Sequence, residues 1–293
     1  LIINADDFGY TSGVNRAIVE AHTRGVVTSA TVMANSPGFE EAARLARTVP
    51  ELSIGCHVVL IDGKPALPAD QVPSLANQDS EDVKFRDGLK SFAARALTGR
   101  MNAAEIEAEA AAQIRTVQSA GIKVSHIDTH KHTHLFPAVL SPLLRAASAC
   151  GVRAVRNPLG PRFPLRSTHL LRRPSFWTRY AEVRVLRRFA RKFREAVGRE
   201  GFSTPDGTLG IEVTGVLDET LFRAIAESIP EGTWEFVCHP GYNDADLLAS
   251  KTRLRKSRET ELRVLTLPDA KQMLSDRGIE LISYHDLNPG GNR

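Results

Sequence analysis

The densest chemistry in the chain lies in one nine-residue run, His126-Ile127-Asp128-Thr129-His130-Lys131-His132-Thr133-His134. Its ionisable members His126, Asp128, His130, His132 and His134 recur every second residue, so on an extended backbone they share one face. A core strand does not place five such groups on its buried side, because each costs kcal/mol unless it is paired or holds a cation. The flanks, Ile122 and Val124 before and Leu135-Phe136-Pro137 after, read as core, which argues against an exposed polar edge. The run therefore reads as part of a metal site, with some members orienting the ligands from behind, Asp128 and His132 foremost. Asp6 and Asp7 are equally unusual, since adjacent carboxylates after an apolar strand need a cation or a shared proton to coexist near a low-dielectric pocket. Their side chains diverge, so one can ligate while the other faces a substrate. With His57 and His130, one carboxylate completes a two-histidine, one-carboxylate set that leaves positions open for water and substrate.

These residues need a scaffold that brings them together. Short apolar, β-branched runs predict strands near residues 1–5, 30–34, 53–60, 124–128, 154–156, 210–213, 234–238 and 281–284. Helical patterns predict helices near 13–24, 39–48, 103–120, 138–149, 176–197 and 219–229, and a last one before Gly278. Asn102 with Glu105 reads as a capping pair, and Gly25, Gly121 and Gly198 as helix stops. Strand–helix alternation implies a mainly parallel sheet, and eight strands imply an α/β fold with a distorted, TIM-like (β/α) barrel in a single domain over residues 1–293. Asp6 and Asp7 then follow the first strand, His57 nears the end of the third, and Asp128 and His130 end the fourth. His239 ends the seventh and His285 the eighth, so all of them converge on one mouth of the barrel. Residues 63–100 form a long excursion after the third strand, read equally as an active-site loop or a surface insertion.

Composition narrows the classes. With 42% hydrophobic and 25% charged residues in 293, the chain is an ordinary globular one, and no apolar run approaches the roughly 20 residues needed to cross a bilayer. Three cysteines, Cys56, Cys150 and Cys238, give no disulfide framework and fit a reducing cytoplasm. Cys56 and Cys238 each precede a histidine, but neighbours on a strand face opposite ways, so both read as core. The net charge of +4 conceals a strongly basic segment, residues 162–200, with 11 Arg and one Lys against three Glu. Charge confined to one segment, without an aromatic-rich binding motif, argues against a nucleic-acid partner. Within it, residues 176–197 carry Phe176, Trp177, Tyr180, Val183, Leu186, Phe189, Ala190, Phe193 and Val197 at helical spacing, with arginines between. The plain reading is a barrel helix with solvated arginines; the sharper one is a basic amphipathic helix in peripheral contact with the cytoplasmic face of a membrane. Phosphate-binding loops and the local patterns of serine and cysteine nucleophiles are missing from the sequence.

The runs NADDFG at 4–9, GVN at 13–15, IGCH at 54–57, HIDTHKHTH at 126–134 and CHPG at 238–241 occur in order over nearly the whole chain. They resemble the YdjC-like family of carbohydrate deacetylases, which includes chitooligosaccharide deacetylases and a branch associated with hopanoid lipid biosynthesis. GKPALP at 63–68 and VPSL at 72–75 are similar to a loop of that branch, although DSEDVKF at 79–85 departs from it. The resemblance implies a distorted barrel and a hydrolase that removes the N-acetyl group of an N-acetylhexosamine-containing glycan or glycolipid. It implies one divalent ion per chain, Mg2+ or Zn2+, on Asp7, His57 and His130. Asp6 is then the catalytic base and His239 the general acid. Arg258 could hold a carboxylate but reads better as a solvated surface residue. Two other classes stay open. A phosphoesterase on a similar barrel would recruit His132, His134 and His285 to a second ion, and a non-catalytic sugar- or lipid-binding barrel would have no use for a base and an acid beside the metal.

Overall fold

In the computed structural model, residues 1–77, 83–86, 88–161 and 187–287 are described. The strands β1 (Ile2–Phe8), β2 (Ser29–Val32), β3 (Ser53–Val58), β6 (Ile127–Thr129), β7 (Gly207–Leu209) and β8 (Trp234–Cys238) form a parallel sheet in the order β6-β3-β2-β1-β8-β7. Helices α1 (Ser12–Thr23), α2 (Phe39–Ala46), α4 (Ala103–Ser119), α5 (Pro137–Ala149), α6 (Ala190–Arg199), α7 (Glu219–Ala226), α8 (Ala245–Ala249), α9 (Lys256–Leu265) and α10 (Ala270–Ser275) lie between or after them. Each element follows its local chemistry. Thr11 caps α1 by accepting from Val14 N at 3.3 Å, and Val14, Ala17, Ile18 and Ala21 bury one helical face. Asn102 caps α4 through Ala104 N, but Glu105 does not close a capping box: its carboxylate accepts from Ser74 N instead.

The sheet is curled into an incomplete barrel. β6 and β8 are four strand spacings apart, roughly 19 Å in a flat sheet. Yet one guanidinium, that of Arg156, reaches both Asp128 of β6 and Glu235 of β8. The wall expected to have eight strands has six in continuous pairing. Residues 154–156 contribute only isolated bridges, Val155 to Ile127 and Ala154 to Ser203, and Ile282 bridges Ile2. Residues 210–213 are not a strand: Gly210 turns left-handed (φ 95°), where a Cβ would meet Val237 O at 2.4 Å, and a 3-10 turn Ile211–Val213 follows. Gly121 stops α4 with φ 85°, whereas Gly198 lies inside α6 and Gly201 (φ 67°) ends it.

The excursion at 63–100 contains the antiparallel pair β4 (Ala76–Asn77) and β5 (Lys84–Phe85) and helix α3 (Leu89–Leu97). It is pinned to α4, where buried Glu109 accepts from Ala66 N and Leu67 N at 2.7 and 3.0 Å. Residues 176–186 of the basic segment lie outside the described residues. From Arg187 a 3-10 turn leads into α6, whose Phe193, Ala196 and Val197 are buried while Arg191 and Arg194 face solvent. Among the described residues no helix is long and apolar enough to cross a membrane.

Candidate active site

β1 delivers two carboxylates to one place through a backbone irregularity. The pairing of β1 with β2 shifts register between Ala5 and Phe8, and Asp7 is left-handed at φ 70°. That conformation costs a non-glycine residue roughly 1–2 kcal/mol. Both side chains end up buried, in different company. Asp6 has both oxygens on Arg156 (Oδ1 to Nη2 2.6 Å, Oδ2 to Nη1 2.8 Å) and accepts from Asn4 Nδ2 at 2.9 Å. Asp7 splits its oxygens: Oδ2 accepts from Arg258 Nη2 at 2.5 Å, and Oδ1 lies 3.7 Å from His57 Nε2 and 3.6 Å from His130 Nδ1. Burial is the largest single influence and pushes both carboxyls up, but Arg156, His57 and His239 around Asp6, and Arg258, His130 and His239 around Asp7, together outweigh it and hold them below the usual carboxylate range.

His57 and Asp128 are register partners on neighbouring strands, so their side chains leave the same face of the sheet. His57 Nδ1 meets Asp128 Oδ1 at 2.7 Å and Thr31 Oγ1 at 3.2 Å, which turns Nε2 toward Asp7 and His130. Burial lowers the affinity of this imidazole for a proton; the Asp128 charge and hydrogen bond, then Asp6 and Asp7, overcome that and raise it to about 9. His57 Nε2 and His130 Nδ1 are 3.3 Å apart. The Asp7, His57 and His130 donors thus stand 3.3–3.7 Å from one another, all within 4.8 Å. An ion about 2.1 Å from each tetrahedral ligand places them about 3.4 Å apart, so the donor set suits a divalent cation. A second carboxylate–histidine group, Asp6, His57 and Asp128, already contains a cation, because Arg156 binds both Asp6 and Asp128.

On the opposite side, His239 follows β8. Its Nε2 is 3.9 Å from Asp6 Oδ2, and its backbone N donates to Glu261 Oε2 at 2.6 Å. Its Nδ1 is buried without a hydrogen bond and lies 4.0 Å from that same Glu261 oxygen. Burial pushes His239 down to about 4 and Glu261 up to about 7.

Several sequence expectations need correction. The alternation from His126 to His134 does not persist beyond β6: His130–Leu135 is a 3-10 segment in which Lys131 and His132 are left-handed (φ 55° and 52°). His126 drops to the floor of the barrel, stacked on Tyr284 at 3.5 Å, and Gly55 makes room, since a Cβ there would meet the His126 ring at 2.5 Å. His132 has its Nδ1 buried without a hydrogen bond, and its ring lies edge-on to His134. His134 is spent on Thr129 Oγ1 and Arg156 O. His285 is exposed and away from the mouth: besides Asp286, its charged neighbours are Lys123 and Glu51, which precede β6 and β3. Arg258, expected in solvent, is 1% exposed and bonded to Asp7. Arg156 and Glu261 escaped notice altogether. Arg156 ends the fifth predicted strand, level with the other strand-end residues, and Arg258 and Glu261 share one helix face three residues apart.

Residues 1–276 match the model of the YdjC-like protein family. A carbohydrate deacetylase of Brevibacillus brevis is 34% identical over 287 residues, covering 98% of this chain and 99% of its own. A chitooligosaccharide deacetylase of Serratia marcescens is 34% identical over 291 residues, 98% of each. A crystal structure from Enterococcus faecalis V583, whose name refers to cellobiose-phosphate cleavage, superposes with a TM-score of 0.76 at 29% identity, covering 98% of this chain and 97% of that one. A family match over nearly the whole chain, with relatives of the same length at this identity, makes the chain a member of the YdjC-like family.

Proposed function

We propose that the protein hydrolyses the acetamide of an N-acetylhexosamine unit in a carbohydrate, releasing acetate and a free amine. The observation that carries this reading is an ion-sized triad, Asp7, His57 and His130, flanked by an ionised carboxylate and a histidine 3.9 Å apart. The names of the relatives, carbohydrate and chitooligosaccharide deacetylases, supply the substrate class.

Asp7, His57 and His130 would hold a divalent ion, and when bound it would supply Lewis acidity at this site. Asp6, ionised and fixed in orientation by Arg156, accepts the proton of the attacking water. His239, neutral at rest with Nε2 3.9 Å from Asp6 Oδ2, takes over that proton and donates it to the departing nitrogen, because an amide cannot leave as an anion near neutral pH. Glu261 holds the backbone of His239 and, when ionised, favours the protonated ring across 4.0 Å. Asp128 holds the Nδ1 proton of His57, so the proton that must leave for ligation is the one on Nε2.

The phosphoesterase alternative needs a second ion. Arg156 fills the only other three-residue carboxylate–histidine group among the described residues, and His134 and His285 are committed or distant. A lipid-linked sugar, hopanoid or other, is the finer reading; it rests on the sequence of 63–75 and the basic residues of 176–197. The test is acetate release from N-acetylated chitooligosaccharides, before and after chelation and with Mg2+ or Zn2+ restored. Acetate from soluble oligosaccharide without dependence on liposomes would set the lipid-linked reading aside, and no acetate from any N-acetylated sugar would sink the deacetylase.

A further inference from the structure

Of two adjacent carboxylates, only Asp7 keeps an oxygen that is not bound by an arginine. Arg156 takes both oxygens of Asp6, whereas Arg258 takes Oδ2 of Asp7 alone, at 2.5 Å. Arg258 is fixed for this task. Its Nε donates to Leu254 O at 3.2 Å, its guanidinium lies 5.8 Å from the centre of the Tyr10 ring, and the side chain is 1% exposed. Gly241 clears its stem, since a Cβ there would meet Arg258 Cδ at 2.9 Å and Val14 Cγ2 at 3.1 Å. Among the described residues Asp7 is the one anion bonded to it, so its charge bears first on the Asp7, His57 and His130 group and more weakly on Glu261 and His239.

We infer that Arg258 is a positioning residue that restricts Asp7 to ligation through one oxygen and weakens the site for a divalent ion, so that the ion is held but exchangeable. This rests on the reading of Asp7, His57 and His130 as the ligands. Two effects follow from the contact. A hydrogen bond from a cation withdraws electron density from the carboxylate, making Oδ1 a poorer donor. A buried positive charge one carboxylate away repels a doubly charged ion, with little solvent to screen it. Losing the directed Nη2 hydrogen bond alone costs affinity, because a ligating carboxylate without its partner is less well oriented. Charge and orientation therefore pull in opposite directions and can be separated by substitution.

The experiment is titration of the chelated, full-length protein with Zn2+ alone at pH 8, by calorimetry or chelator competition, for wild type, Arg258→Met and Arg258→Lys. Arg258→Met removes the charge and is expected to bind Zn2+ at least tenfold more tightly. Arg258→Lys keeps the charge, loses the Nη2 hydrogen bond that Leu254 helps to aim and is expected to bind about tenfold more weakly, in the range for a lost contact to a ligand. Weaker or unchanged binding by Arg258→Met overturns the inference, as does unchanged or tighter binding by Arg258→Lys, so either variant alone decides if the other does not fold. Failure of the underlying reading looks different: wild type, both variants and His130→Ala would then bind Zn2+ equally or not at all.

Discussion

Binding of a divalent ion should be a competition with one proton, and His57 fixes its size. In the metal-free protein His57 keeps its second proton up to about pH 9, while Asp6 and Asp7 are held ionised by their arginines and burial keeps His239 neutral above about pH 4. A ligating Nε2 must be unprotonated. At pH 7 the unprotonated fraction of His57 is about 1%, and at pH 9 about one half, so the apparent Kd should fall about fiftyfold between them, near one decade per pH unit. About one proton should leave with each ion bound at pH 7, and about half a proton at pH 9. Calorimetry in buffers of different ionisation enthalpy measures both quantities. Asp128→Asn removes the largest charge that favours the imidazolium, and should move the plateau of affinity to lower pH. An apparent Kd that stays constant from pH 7 to 9 with no proton release would refute the coupling of His57 to Asp128 and the ion.

Asp6→Asn should abolish acetate release and leave Zn2+ content unchanged, because Asp6 donates no free oxygen to the triad, whereas Asp7→Asn should lose both; elemental analysis beside the acetate assay tells them apart. His239→Ala should lower kcat by about 10²–10⁴ on N-acetylated sugars and much less on activated esters, whose leaving group needs no proton; equal losses on both would remove the general-acid role. Burial raises Glu261 to about 7, so the folded chain holds a proton that the unfolded chain releases above about 4.5. The wild type should therefore lose up to about 3 kcal/mol as pH rises from 4.5 to 7 and nothing further from this group above it. Urea unfolding of wild type and Glu261→Gln at pH 5 and 8 checks the sign, because the loss assigned to Glu261 should vanish in the variant; equal pH dependence in both would contradict it.

Residue types and spacing by themselves determined the α/β alternation, most helices to within a few residues, and the group of Asp6, Asp7, His57, Asp128, His130 and His239. These were legible because strand-end positions in a parallel sheet share one edge, and ionisable groups beside apolar runs have no cheap structural reason to be there. Tertiary structure alone decided which neighbours meet. His126 and His130 belong to one alternating face, yet His126 stacks on Tyr284 in the floor and His130 joins Asp7, because the strand ends after Thr129 and two left-handed residues turn the chain. Arg156 and Arg258 look like solvated arginines in any local window. Only the curl of the sheet gathers Asp6, Asp128 and Glu235 around the first. Only the packing of α9 over the mouth sets the second on Asp7, across 251 residues of chain. A charge is read from sequence as exposed because burial is costly, and what offsets that cost here is a partner no local pattern can supply.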